Sequence, residues 1–488
     1  MTRAVFTLFL IATASGCGTS KPVTVNPTVP PAAVAPSTLL RTDLSSIFSK
    51  PQFERAFWSV LVRAAGSSED LFALNAGKLM MPGSTMKVIT AAAAAEKLGW
   101  DHRFETIVVS AAPFDSGIVR GDLAIIGGGD PAISERSDQP GALGNLARQV
   151  REAGVTRIEG GIIGHDDLFD DKGLGDGWTL DNIPYGYAAP VSALTYNESS
   201  VDLVIRAGMA EGDPVGVQVR PEGSDLQIEN HLVTVGETGT GALTLQRFPG
   251  SSRVTVRGQI PAKAAPFVRT ASIDNPTRFF ASAFRHALIA AGVEVIGDAV
   301  DSDDFISKPD FGQGWMLATH RSPPLSVLIS SMMKVSQNQY AELLMKAVGG
   351  RPAIQEILGA WGVPDTSYVL ADGSGLSRYN YVTSEALVRI LERMKTDPTH
   401  AGVFPLTLAI AGRDGTLSRR LAGTAAEGKV RAKTGTVDNV RAIAGYIETT
   451  DGQTLVFSII ANNFNVPSSV VDAAADEALV RLAGFATR

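Results

Sequence analysis

Cysteine is almost missing: among 488 residues there is one, Cys17. A single thiol closes no internal disulfide, and its place near the start of the chain leaves no thiolate for catalysis or for a metal cluster in a folded domain. The six histidines, at 102, 165, 231, 286, 320 and 400, show no HxH, HxxxH or HExxH spacing, so no metal centre and no cofactor is signalled. Long runs of one charge are also absent. Against 50 Asp and Glu stand 43 Lys and Arg, a net charge of −7. That excludes the basic stripe of a nucleic-acid binder and the acidic tail of an interaction segment. After the first twenty residues no run of eighteen apolar residues occurs, so no spanning helix is expected there. Nothing repeats at a fixed period, which excludes a solenoid or propeller. The length suits two to four domains of roughly 100–200 residues each.

The first residues read as an address. Met1-Thr2-Arg3 is a short basic start, and Ala4 to Ala14 is an apolar run of eleven residues followed by Ser15-Gly16-Cys17. As a helix such a run rises about 16 Å, half of the ~30 Å hydrocarbon core, which suits a cleaved export signal over residues 1–16 better than a permanent span. Small residues directly before a lone cysteine resemble a bacterial lipobox, with Ala14 where Leu is usual. The resemblance implies lipidation of Cys17 and an extracytoplasmic, membrane-anchored protein in the periplasm or cell wall. An ordinary secretory signal with an incidental Cys17 fits the same residues. Residues 17–38 then carry the anchor and a tether, with five prolines between 18 and 38 and little that could be buried.

From Leu39 the chain alternates between two textures. Residues 59–65 and 71–75 flank Ser67-Ser68-Glu69-Asp70 as a β-hairpin, and Ser84 opens a helix rich in alanine. Residues 103–317 are β-rich with glycine turns, interrupted by one clear helix at 275–292. Helices return from Pro323: one run over 325–349, then 383–395. The chain closes with two β runs joined at Asp451-Gly452 and a last helix. Strands at both ends around central helices suggest one discontinuous α+β domain, residues 39–102 and 318–488, carrying the 103–317 region as an insertion.

Chemistry concentrates in three short motifs. Ser84-Thr85-Met86-Lys87 is an S-x-x-K at a helix start, and residues three apart share a helix face, so the Lys87 amine can reach the Ser84 hydroxyl. A serine is a weak nucleophile until a base takes its proton, and a lysine does so once burial or a neighbouring cation lowers its pKa. The helix start also offers free N–H groups to an oxyanion. A second match, Ser331 to Lys334, lies mid-helix where its serine is walled in, and is set aside. Ser336-Gln337-Asn338 can project a hydroxyl and an amide into a shared cleft. Lys433-Thr434-Gly435-Thr436, read as a strand, puts Lys433 and Gly435 on one face and Thr434 and Thr436 on the other. Gly435 permits close approach of a peptide to the strand edge.

The ordered trio S-x-x-K, S-x-N, K-T-G resembles the serine β-lactamases and penicillin-binding proteins. The gap of about 250 residues between the first two motifs resembles the class C low-molecular-mass penicillin-binding proteins. These are D-alanyl-D-alanine carboxypeptidase/endopeptidases of the penicillin-binding protein 4 type. Strings at 121–133, 320–344, 371–383 and 411–436 look like the same family, and the similarity runs from about Leu39 to the end. It implies a serine β-lactamase/transpeptidase-like domain, an antiparallel sheet flanked by helices. The β-rich insertion would form two nested subdomains, about 103–128 with 206–317, and 129–205.

For the site the resemblance implies Ser84 as the acylated nucleophile and Lys87 as its base. Ser336 and Asn338 would assist proton transfer and hold the substrate amide. Lys433, Thr434, Gly435 and Thr436 would bind the substrate, with the N–H groups of Ser84 and Thr436 as oxyanion hole. The implied partners are peptidoglycan stem peptides and β-lactam antibiotics, with neither nucleic acid nor cofactor. A serine β-lactamase or esterase, and a non-catalytic wall-binding protein, are the alternatives.

Two departures from the family pattern stand out. Gln337 replaces the common Asp of S-x-N. In GHDDLF (164–169), His165 stands where relatives carry an acid, and Asp166 or Asp167 can replace it as a substrate contact. Arg378 and Arg413 are candidate carboxylate forks, with loop-stabilising ion pairs as the plainer reading.

Overall fold

Alternate residues of the strand Phe57–Ala64 enter opposite cores. Leu61 joins one cluster, and Trp58, Val60 and Val62 join the other. The same alternation runs through Val440–Glu448, where Ala442, Ala444 and Tyr446 face one core and Ile443 and Ile447 the other. A strand buried on both faces reads as a continuous apolar run, which is why these segments lack a polar side. The structure, a computed structural model, describes residues 7, 16, 18 and 35–486, apart from 113, 138–139, 222 and 312–313. Cys17 and most of the leader and tether lie outside the described residues. From Pro36 on, the chain forms one compact unit.

The central sheet has six strands, all antiparallel, in the order Asp70–Leu74, Phe57–Ala64, Thr454–Asn462, Val440–Glu448, Val430–Val437, Ala409–Ile410. The N-terminal hairpin thus pairs with the last strand of the chain, closing a sheet whose two parts lie some 350 residues apart in sequence. Helices Pro36–Phe48 and Ser468–Ala483 supply the core on one face. Lys87–Leu98, Leu325–Val335 and Ser384–Thr396 supply it on the other. The first helix begins at Pro36, three residues before the expected start of the folded part, with proline in the first turn where its missing N–H costs nothing.

Between these parts lie the other larger sheets. A five-stranded sheet takes the order Ala299–Asp301, Ile162–His165, Leu123–Ile126, Glu105–Ser110, Trp315–Arg321. Its last strand pairs antiparallel with Glu105–Ser110 and runs through the expected boundary at 317/318. Likewise Ser200–Arg206 pairs with Phe267–Ser272 across the expected subdivision at 205/206. The helix expected at 275–292 is Pro276–Ala290, capped by Asn275, whose side chain accepts from Arg278 N. The single helix expected over 325–349 is two, Leu325–Val335 and Asn338–Ala347, broken at Ser336, which has φ +66°.

Candidate active site

The turn that carries Ser84 is held from both ends by glycines. Gly83 has φ +52°, and a Cβ there would come within 2.9 Å of Thr436 N. A Cβ on Gly435 would overlap the Pro82 carbonyl oxygen and sit 3.2 Å from Ser84 N. Only with both glycines can the strand Val430–Val437 press its backbone on the serine turn, bringing the backbone nitrogens of Ser84 and Thr436 to one place. Ser84 does not open an α-helix. It sits in a 3-10 turn, Gly83–Met86, followed by the helix Lys87–Leu98. In a 3-10 turn residues i and i+3 eclipse, which stacks Lys87 directly with Ser84.

Lys87 is fully buried, and its Nζ lies 2.8 Å from Ser84 Oγ, 2.7 Å from Asn338 Oδ1 and 2.8 Å from the Ser374 carbonyl oxygen. Asn338 cannot be turned over, because its Nδ2 donates to the Tyr187 carbonyl at 2.8 Å. Two of the three neighbours of Nζ are therefore obligate acceptors. A neutral amine has two hydrogens and one lone pair. With the hydrogens given to Asn338 Oδ1 and Ser374 O, the lone pair is left for the Ser84 hydroxyl. Burial brings Lys87 down to about 7, opposed by the charges of Asp372 and Glu342, so the amine form is accessible near neutral pH.

Lys433 is buried too, and donates to Ser336 Oγ and to the Thr434 carbonyl, both at 2.9 Å. Burial, then the neighbouring Lys87 charge, hold it well below the usual lysine range. Ser336 reaches this place because it ends one helix in the left-handed region, an unusual conformation for a residue with a Cβ and of the kind found where function requires it. Thr434 Oγ donates to Thr416 Oγ at 2.8 Å. The structure thus brings Ser84, Lys87, Ser336, Asn338, Lys433, Thr434, Gly435 and Thr436 together from three distant parts of the chain. Such a constellation can activate a hydroxyl, carry a proton and offer backbone donors to an oxyanion.

Asp166 does not share hydrogen bonds with that group. It accepts from Ser192 Oγ at 2.7 Å and Thr277 Oγ at 2.5 Å, and its carboxylate faces Asp301 and Asp303. Asp167 pairs with Lys308. Arg378 donates to the Asp438 carbonyl at 3.2 Å. Lys334 of the discarded S-x-x-K match pairs with Asp414 at 2.6 Å, fastening the 413–417 loop to the helix Leu325–Val335.

Residues 40–484 match the D-Ala-D-Ala carboxypeptidase 3 (S13) family. The chain belongs to that family. A D-alanyl-D-alanine carboxypeptidase of Actinomadura sp. (strain R39) is 35% identical over 483 residues, 94% of this chain and 87% of the relative. The crystal structure of penicillin-binding protein 4 from Haemophilus influenzae superposes with a TM-score of 0.79 at 26% identity, covering 90% of this chain and 98% of that one. A second structure of that protein, complexed with a β-lactam, gives a TM-score of 0.74 at the same identity.

Within this S13 chain, several residues of the site escaped the sequence reading. Ser374, whose carbonyl holds Lys87, belongs to a loop whose string looked like the family but offered no chemistry of its own, because a main-chain acceptor has no signature in sequence. Tyr187 is the same case. Asp372, buried within the Ser374 loop, and Glu342, buried beneath it on the helix Asn338–Ala347, looked like ordinary acids among the 50 of the chain. A DGSG string followed by an asparagine was the one available hint, since such loops are commonly tied by their own acid.

Proposed function

We propose that this S13 chain is a serine-type D-alanyl-D-alanine carboxypeptidase and/or endopeptidase acting on peptidoglycan stem peptides, and that β-lactams acylate it. The observation that carries the reading is the buried Lys87 amine, 2.8 Å from Ser84 Oγ with its other two partners fixed acceptors. Lys87 takes the Ser84 proton as Oγ bonds to the carbonyl carbon of the D-Ala-D-Ala peptide bond. The N–H groups of Ser84 and Thr436 hold the oxyanion. The bond to the leaving nitrogen breaks as Ser336, linked to Lys433, gives it a proton and is reprotonated by the one Lys87 took from Ser84, which returns Lys87 to the amine. D-Alanine or the cross-linking amine departs, and water then hydrolyses the acyl-enzyme ester. Lys433, Thr434 and Thr436 bind the terminal carboxylate of the substrate, and Asn338 uses its second N–H for the substrate amide. Asp166, committed to Ser192 and Thr277, has no part in this scheme.

Release of D-alanine from a pentapeptide ending in D-Ala-D-Ala, lost in Ser84→Ala, supports this reading. Rapid turnover of a chromogenic cephalosporin without release from the peptide would favour a β-lactamase instead.

The site acts on cell-wall peptides, so the protein works outside the cytoplasm. We further propose that it is anchored there through lipidated Cys17 after removal of residues 1–16. No helix among the described residues is long and apolar enough to cross a membrane. Cys17→Ser should move the protein from the membrane fraction to the soluble one, and a protein that stays with the membrane would contradict the anchor. The partition into a catalytic part, 39–102 with 318–488, and an insertion at 103–317 is supported by sheet membership. The six-stranded sheet draws only on 57–74 and 409–462. The strand Trp315–Arg321 moves the second junction of that proposal to about 321.

A further inference from the structure

Beneath Lys87 lies a pair of buried carboxylates that the scheme above does not use. Asp372 and Glu342 are 2% and 8% exposed. Asp372 accepts four hydrogen bonds: from Gly375 N at 2.8 Å and Asn380 Nδ2 at 2.6 Å on one oxygen, and from Ser377 N at 2.6 Å and Trp178 Nε1 at 2.9 Å on the other. Glu342 accepts from Gly373 N at 3.0 Å and from Ser374 N at 2.8 Å, one on each oxygen. These are consecutive peptides, and the second belongs to the residue whose carbonyl accepts from Lys87.

Glu342 also lies one helical turn after Asn338 on the helix Asn338–Ala347. One helix therefore sets both fixed acceptors of the Lys87 amine, Asn338 Oδ1 directly and Ser374 O through the loop that Glu342 grips. We propose that Glu342 is a positioning residue of this site: it clamps the Gly373–Ser374 peptide so that the Ser374 carbonyl holds the Lys87 amine against Ser84, and in its ionised form it places a negative charge under that amine. This rests on the reading of Lys87 as the base for Ser84.

The charged groups around Glu342 are consistent with that role. Asp372 approaches from the loop and Lys87 from its helix, and Lys433 acts on Lys87 in turn. On the far side Glu342 and Asp372 border a cavity whose charged lining residues are otherwise Asp170, Lys172, Asp176, Lys346 and Arg351. Its cations are already matched, Lys346 by Asp170, and Lys172 and Arg351 by Asp176. Lys87 is then the cation left for Glu342 to act on. Burial, and next the Asp372 charge, lift the Glu342 carboxyl to about 7, while Asp372 and Glu342 together pull Lys87 upward against burial. Removing the Glu342 charge lets Lys87 lose its proton at lower pH.

The test follows acylation of the full-length protein by a fluorescent penicillin from about pH 5 to about pH 9, separating the binding constant from the acylation rate constant. Glu342→Gln keeps the size, loses the charge and turns one acceptor into a donor that faces an N–H. It should slow acylation at the alkaline plateau about tenfold, with binding unchanged. It should also move the acid limb of the profile to lower pH, by no more than about one unit because the wild-type Glu342 carboxyl itself ionises only as pH rises through about 7. Glu342→Asp keeps the charge but draws it back from the loop, so the rate constant should fall while the acid limb and the binding constant stay in place. An unmoved acid limb in Glu342→Gln, or a loss shared between binding and acylation, overturns the proposal. If Glu342→Gln does not fold, Glu342→Asp decides: a wild-type rate constant, or weakened binding, overturns it. A wild type that forms no adduct at any pH would instead overturn the assignment of Ser84 and Lys87. A labelled wild type with an unchanged Glu342→Gln profile would leave that assignment standing and remove Glu342 alone.

Discussion

Lys433 Nζ donates to Ser336 Oγ across 2.9 Å, joining two motifs 97 residues apart in the chain. Together with Lys87 on Ser84 it makes two pairs of a buried lysine and a half-buried serine, one placed to start the reaction and one to pass the proton on. Ser336→Ala removes the second hydroxyl and leaves the first pair untouched. Acylation by penicillin should then slow by about 10²–10⁴, the worth of a positioned proton-transfer group, with the melting temperature little changed. Stopped-flow acylation of the variant measures this, and a rate near wild type would remove Ser336 from the scheme.

Protonation of Lys87 sets the acid side of the pH profile. Below about 7 it is an ammonium and cannot take the Ser84 proton; above, the amine is free to do so. The acylation rate should therefore climb through about 7 as pH rises. Asn338→Asp places a carboxylate where the amide oxygen lies 2.7 Å from Nζ. An opposite charge at that distance favours the ammonium, so the acid limb should move about 1–3 units to higher pH. This is the reverse of the direction expected for Glu342→Gln. Limbs that move the same way in the two variants would contradict the electrostatic picture.

Gly375 has φ +84°, and a Cβ there would overlap the Gly83 carbonyl oxygen. Gly375→Ala combines a disfavoured backbone with a clash against the nucleophile turn, and should cost about 2–4 kcal/mol of stability. Denaturant unfolding of the variant is the measurement. Because the clash bears on Gly83, next to Ser84, acylation should fall even at temperatures where the variant stays folded.

How much of this was legible beforehand follows from what kind of signal each part leaves. The three motifs were readable because they are side-chain chemistry in fixed order, and the long gap between the first two separated the penicillin-binding proteins from β-lactamases. The terminal hairpin was readable because Asp451-Gly452 punctuates two apolar runs. The break at Ser336 was not, since apolar residues at helical spacing resume on the far side of Ser336-Gln337-Asn338-Gln339 and neither Gly nor Pro marks the place. Ser84 looked like a helix opener because a 3-10 turn and the first turn of an α-helix carry the same residues. The strand Trp315–Arg321 was placed at the edge of a boundary because pairing with Glu105–Ser110, some 200 residues earlier, is a tertiary fact. The carbonyls of Ser374 and Tyr187, which decide where the Lys87 hydrogens go, belong to the main chain and have no sequence signal at all.

The central claim is that Ser84 becomes covalently acylated, and intact-protein mass spectrometry after incubation with penicillin tests it most directly. Wild type should gain the mass of one penicilloyl group and Ser84→Ala should gain nothing. A wild type that stays unmodified while the penicillin remains intact, or a Ser84→Ala variant that is modified as readily as wild type, would contradict it.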